Sequence, residues 1–201
     1  SVEGSIFSAG STIQWLRDGL KLISSASETE ELAKSLSSNK GIYLVPAFTG
    51  LGAPYWNSTV RGTIFGLTLE TGPAEIARAS LEAVTYQSYD IIKAMESDLG
   101  QPIQSLQIDG GMTDNDWFVQ YLSNILNIKV ARPRVLETTA LGAAFLAGLG
   151  SGLYSKLEDI ENLWKIDRPF CPNIDHTKRL KYLAGWKQAV QKLTMYKPDN
   201  M

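Results

Sequence analysis

Asp109-Gly110-Gly111, with Asn115 four residues beyond, is the stretch of this chain best suited to holding a ligand. Two adjacent glycines permit positive φ and put backbone N–H groups forward with no side chain in front of them. At a turn from strand to helix, such amides form a surface on which an anionic or planar group can lie. Asp109 and Asn115 add polar side chains beside it. A second turn of the same kind stands at Ala9-Gly10, with Ser11, Ile13 and Gln14 in the helix after it. Taken alone, a DGG triplet more often marks an ordinary tight turn than a binding site.

Other chemistries are excluded by what the chain lacks. HExxH, CxxC and any cluster of His and Cys are missing, which argues against zinc. The nucleophile elbow Gly-x-Ser-x-Gly is absent, and a single histidine, His176, leaves little room for a Ser-His-Asp triad. The phosphate loop GxxxxGK[ST] is absent too. The lone cysteine, Cys171, between Phe170 and Pro172, reads as a small buried filler rather than a nucleophile. Glu82 and Asp90 fall in the middle of a helical pattern, where carboxylates are solvated or paired. Asp109, ending a strand beside a glycine turn, is the stronger functional candidate, with Asp114 nearby.

The elements that must position these groups follow from periodicity. Residues 2–7 read as a short strand, 105–108 alternate as one, and 42–45 is a continuous apolar run suited to a buried strand. Residues 61–67 form a further strand and 129–132 another. Helices are expected over 11–24, capped by Ser11 and burying Ile13, Leu16, Leu20 and Ile23, and over 28–37. A long helix over 73–98 starts at Pro73 with Glu75 at its positive end, and buries Ile76, Ala79, Ala83, Tyr86 and Ile91. Thr113, Asp114 or Asn115 caps the helix carrying Trp117, Phe118, Tyr121, Leu122 and Ile125. Thr138 and Thr139 cap a small-residue helix over 140–149 that can pack close to another backbone. Residues 155–163 read as a polar segment, and 177–196 as a last helix. Residues 46–56, PAFTGLGAPYW, suit a loop folded over the core with its aromatics buried. Short strands alternating with helices predict an α/β domain with a partly parallel sheet, in which ligands sit beyond the carboxyl ends of strands.

Composition narrows the class. The 201 residues suffice for one or two domains with a sizeable core, at 44% hydrophobic and 20% charged residues. A net charge of -2, with both signs interspersed, gives no footprint for nucleic acid and no basic membrane face. No apolar run reaches the length of a membrane span, and one cysteine suits a reducing, cytoplasmic setting. Ser1 opens the chain with a strand pattern already under way, so it reads as the continuation of a longer protein.

Gly62 to Glu82, GTIFGLTLETGPAEIARASLE, resembles a signature of the FGGY carbohydrate kinases. Ile108-Asp109-Gly110-Gly111 is similar to that family's adenosine motif, and Ala140 to Gly148 to its small-residue helix. Pro46 to Trp56 looks like this loop in the members that phosphorylate glycerol; pentulose and gluconate kinases usually have a Gly-Glu-Arg stretch there. The resemblance covers essentially the whole chain. It implies an actin- and hexokinase-like ATPase domain of ribonuclease-H type, a mixed sheet flanked by helices, and specifically the C-terminal of two domains that close on a cleft. It implies ATP and Mg²⁺ as cofactors, with ATP or ADP bordered by Gly10, Ile13 and Gln14. Asp109 and Gly110 lie at the second turn, where Gly111 and Asn115 hold the adenosine and Asn115 can donate to and accept from a purine edge. No catalytic and no metal-binding residue is expected in this chain, since the family's base aspartate and glycerol contacts belong to the N-terminal half. The full-length protein would be a homo-oligomer. Another sugar kinase of the family, or an actin-like assembly module, are the competing expectations.

Overall fold

The structure, a computed structural model, describes residues 2–161, 163 and 165–195. Helix α1 (Gly10–Gln14) runs directly into a π-helical turn, Trp15–Gly19. Helix α2 (Glu28–Lys34), strand β1 (Tyr43–Val45) and strand β2 (Thr63–Phe65) follow. Next come α3 (Pro73–Leu99), β3 (Ser105–Gln107), a 3₁₀ turn (Gly111–Asp114), α4 (Asp116–Leu126) and β4 (Lys129–Pro133). The chain continues through α5 (Thr138–Gly150), α6 (Leu157–Glu161), β5 (Ile166–Phe170) and α7 (His176–Met195).

Strands β1 and β2 pair antiparallel. Strand β4 lies between β3, parallel to it, and β5, antiparallel. The expected mixed sheet flanked by helices is therefore present, in two pieces. Parallel pairing of β3 with β4 needs a crossover, and α4 supplies it.

Helix α3 is the axis of the molecule. Pro73 needs no amide partner at the first turn, and the Glu75 carboxylate accepts a hydrogen bond from the Gly72 N–H at 2.9 Å. From Glu75 to Gln87 every residue is buried, because α2, α4 and β1 cover it on different sides. One cluster packs Ile13, Leu16, Leu81, Val84, Phe118, Leu122 and Val130 together. A second joins Val45, Tyr86, Tyr121, Ile125 and Trp186, so α7 closes the face opposite α1. Gly185 lets α7 settle on β1, since a Cβ there would collide with the Tyr43 ring.

Several expectations are corrected. Residues 2–7 form no strand, having no paired neighbour. The first helix stops at Gly19, leaving Leu20 42% exposed. Trp56 is 76% exposed rather than folded over the core. In α5 only Gly148 is buried, and its close neighbour is the Tyr154 ring rather than another helix. Cys171 is exposed. Strand β5 and helix α6 fall in or beside the stretch read as polar. The final residue of the predicted last helix, 196, lies outside the described residues.

Candidate functional site

Both glycine turns open onto one cavity of about 630 Å³, within the range of small-molecule sites. Gly10, Ile13 and Gln14 line it from the first turn, and Asp109, Gly110, Gly111 and Asn115 from the second. All seven residues singled out in the sequence are thus brought together. Ser27, Thr29 and Glu30 on and before α2, Leu81 of α3, and Arg17, Met112 and Asp114 complete the lining.

The second turn is tightly specified. Gly110 has φ 87° and ψ 167°, a region closed to residues with a Cβ. Its N–H donates to the Leu136 carbonyl at 3.1 Å, and its own carbonyl accepts the Thr113 hydroxyl at 2.7 Å. Positive φ is needed at Gly110 alone. Gly111 matters for another reason: a Cβ built there meets nothing within 4 Å, so it would project into free space. The first amides of a 3₁₀ turn have no acceptor within the turn, which leaves the Gly111 and Met112 N–H groups available.

Asn115, not Thr113 or Asp114, caps α4. Its Oδ1 accepts the Phe118 N–H at 2.9 Å, and its Nδ2 donates to the Thr29 hydroxyl at 3.2 Å. The residue therefore ties α4 to α2 across the cavity wall and keeps one donor hydrogen and one lone pair for a ligand. Asp109 accepts a hydrogen bond from the Thr138 hydroxyl, the first residue of α5, so Thr138 serves Asp109 instead of capping its own helix.

The first turn is simpler. Gly10 begins α1 with no side-chain cap, and Ser11 lies inside the helix rather than capping it. Thr12 anchors the turn by donating to the Ser8 carbonyl at 3.2 Å. Ile13 is 5% exposed and forms an apolar floor, whereas Gln14 is exposed and makes no hydrogen bond among the described residues. A Cβ at Gly10 would come within 4.0 Å of Met112 Cγ, so the two turns approach each other here.

The lining carries the carboxylates Glu30, Asp109 and Asp114 against one cation, Arg17, which pairs with Asp18 at 2.7 Å. Anionic groups entering this cavity must rely on backbone amides rather than cationic side chains. Among the described residues no group of three or more His, Cys, Asp or Glu could hold a metal ion. Mg²⁺ usually takes one or two carboxylates and completes its shell with phosphates and water.

Within α3, next to the cavity-lining Leu81, lies a buried pair that periodicity alone did not reveal. Arg78 Nε donates to Glu82 Oε1 at 2.8 Å, and both side chains are under a tenth exposed. The Tyr86 hydroxyl donates to Glu82 at 3.0 Å and lies 2.6 Å from the Tyr121 hydroxyl. Arg78 also donates to the Leu36 carbonyl beyond α2 and sits 5.1 Å from the Trp117 ring centre. Burial pushes the Glu82 carboxyl up from its ordinary value, and Arg78 pulls against it. Glu82 is paired, as expected of a mid-helix carboxylate, but fully buried. Through Arg78 and the two tyrosines it joins α3 to α4 and to the chain just after α2. The signal was the i, i+4 spacing of Arg78 and Glu82 in an otherwise apolar helix.

Residues 1–151 match the family model described as the FGGY family of carbohydrate kinases, C-terminal domain. The chain belongs to this family. FGGY relatives include glycerol kinases from Thermococcus gammatolerans, 53% identical over 96% of this chain, and Alcanivorax borkumensis, 54% identical over 96%. The chain spans 38% and 39% of the length of these two relatives. Among solved structures, Plasmodium falciparum glycerol kinase with ADP superposes with a TM-score of 0.86 at 37% identity, over 96% of this chain and 38% of that one. A ligand-bound xylulose kinase from Lactobacillus acidophilus, 22% identical, superposes at 0.74 over 94% of this chain and 38% of that one, a likeness of fold alone. The actin- and hexokinase-like class expected from the sequence is that of these FGGY structures. Among the described residues no helix is long and apolar enough to cross a membrane.

Proposed function

We propose that residues 1–201 are the C-terminal, nucleotide-holding domain of an ATP-dependent glycerol kinase, which transfers the γ-phosphoryl group of ATP to glycerol to give glycerol 3-phosphate. The observation that carries this reading is the convergence of two glycine turns, distant in sequence, on one cavity in a chain about half identical to glycerol kinases. The neighbour solved with ADP supports the choice of nucleotide. In this reading Gly10, Gly110 and Gly111 give ATP or ADP access to the backbone. Ile13 and Gln14 border it, Asp109 lies at the second turn, and Asn115 holds the adenosine.

Phosphoryl transfer needs an oriented nucleophile, a metal and clamped phosphates. The cavity's acidic side chains suit the nucleoside end better than the phosphates. Mg²⁺ accordingly travels with the phosphates, while glycerol, the base and most phosphate contacts come from the rest of the protein. The whole enzyme works as a cytoplasmic homo-oligomer. The test is a coupled kinase assay on chain 1–201, alone and after adding the separately produced remainder. Silence alone, with glycerol-dependent turnover on mixing and little with xylulose or gluconate, is the expected result. Turnover by the chain alone, or a preference for either sugar substrate, contradicts it.

A further inference from the structure

We propose a second ligand site, anchored on Asp90, that takes a small organic ammonium with an apolar body. Asp90 lies on α3 nine positions beyond Leu81, about 14 Å along the axis from the first cavity. Its Oδ2 accepts the Tyr55 hydroxyl at 2.7 Å and the Trp186 Nε1–H at 2.7 Å. Its Oδ1 accepts no hydrogen bond among the described residues, and no Lys or Arg among them pairs with the carboxylate. Both donors are neutral, so they orient the carboxylate without cancelling its charge. Burial pushes the Asp90 carboxyl up from its ordinary value, and the hydrogen bonds from Trp186 and Tyr55 pull against it.

Asp90 borders a cavity of about 600 Å³, large enough for a small organic molecule. Leu180, Leu183 and Val190 of α7 and the Tyr55 and Tyr89 rings supply its apolar surface. Aromatic faces attract cations, and a carboxylate repels anions. A neutral ligand would leave the charge where it is. On its other side Asp90 meets a void of about 10 Å³, room for about one water, which is neutral too. A primary ammonium answers both features, with the head on Asp90 and the hydrocarbon against α7. Arg179 and Lys93 already lie 5.8 and 5.7 Å from the Tyr89 ring centre, which leaves the Asp90 carboxylate as the unanswered charge. Lys187 lines the same cavity and makes no ion pair among the described residues, so it is the cation that competes for Asp90. This site is independent of the nucleotide reading, since the two cavities share no lining residue.

The probe is phenethylamine, titrated calorimetrically into the 201-residue chain beside phenethyl alcohol and hydrocinnamate, which carry the same ring with a neutral or anionic end. The expected result is an ammonium bound at least about tenfold more tightly than the alcohol, with the carboxylate weakest. Asp90→Asn keeps an acceptor for Tyr55 and Trp186 and removes the charge, so the amine and alcohol become equal. Lys187→Gln tightens the amine by removing its competitor. Equal binding of amine and alcohol to the unsubstituted chain overturns the proposal. So does an Asp90→Asn chain that melts normally and keeps the preference.

Discussion

At the second glycine turn nearly every group is tied: Gly110 N–H to Leu136, Gly110 carbonyl to Thr113, Asn115 to both Phe118 and Thr29. At the first turn α1 has no side-chain cap, no paired strand leads into it, and only Thr12 ties back to Ser8. Ile13 and Leu16, 5% and 0% exposed, hold that side by packing instead. One wall of the cavity is specified by hydrogen bonds and backbone conformation, the other by burial against α3. A site built this way keeps one ligand-facing surface pre-formed and lets the other follow the core.

The largest effect should come from the buried Arg78–Glu82 pair of α3, the helix against which the first wall packs. Glu82→Ala leaves the Arg78 charge buried without its carboxylate and takes away the acceptor of the Tyr86 hydroxyl. A loss of about 3–5 kcal/mol is expected in denaturant unfolding, as for other broken buried ion pairs. A loss below about 1 kcal/mol would mean that the pair does little to hold α3 and α4 together.

Next comes the contrast between glycines. Gly110→Ala must hold a strained backbone and should cost about 1–3 kcal/mol. Gly10→Ala adds a Cβ in ordinary contact with Met112 inside a helix and should change stability by no more than about 0.5 kcal/mol. Equal costs, read from urea midpoints at constant slope, would erase the distinction between the two turns.

Asn115 gives a smaller and sharper split. Asn115→Ala loses the α4 cap and should cost about 1 kcal/mol, whereas Asn115→Asp keeps the cap and loses only the bond to Thr29. Thermal melts should therefore rank the native chain first, Asp next and Ala last. Asp falling below Ala would show that the link to α2 outweighs the cap.

Much of this was legible in the sequence, and the rest was hidden for identifiable reasons. Glycine at a strand-to-helix turn, Pro73 with Glu75, and the apolar spacing of α3 and α4 act locally, so their consequences appear where expected. Residues 2–7 read as a short strand, but a strand exists only with a partner. Strand β5, IDRPF, carries two charges and a proline because it is an edge strand. Its Arg168 and Asp167 pair with Asp116 and Arg132, partners distant in sequence. Helix α5 is small and apolar, which promised burial, yet Leu146 is 68% exposed. Composition reports what a segment can cover, not what lies beside it. The seven candidate residues were named from two glycine turns together with the family resemblance; that they line one cavity is what the structure adds. Asn115 was one of three cap candidates in the sequence; that it is also a strut to α2 became visible only with Thr29 beside it.

The most direct measurement is calorimetric titration of ADP into chain 1–201 and its Gly111→Ala variant. The added methyl meets no protein atom, so the variant should melt like the native chain. It should lose at least about tenfold in ADP affinity, because the methyl enters the space assigned to the nucleotide. An unchanged melt with unchanged affinity would contradict the assignment of this cavity to the nucleotide.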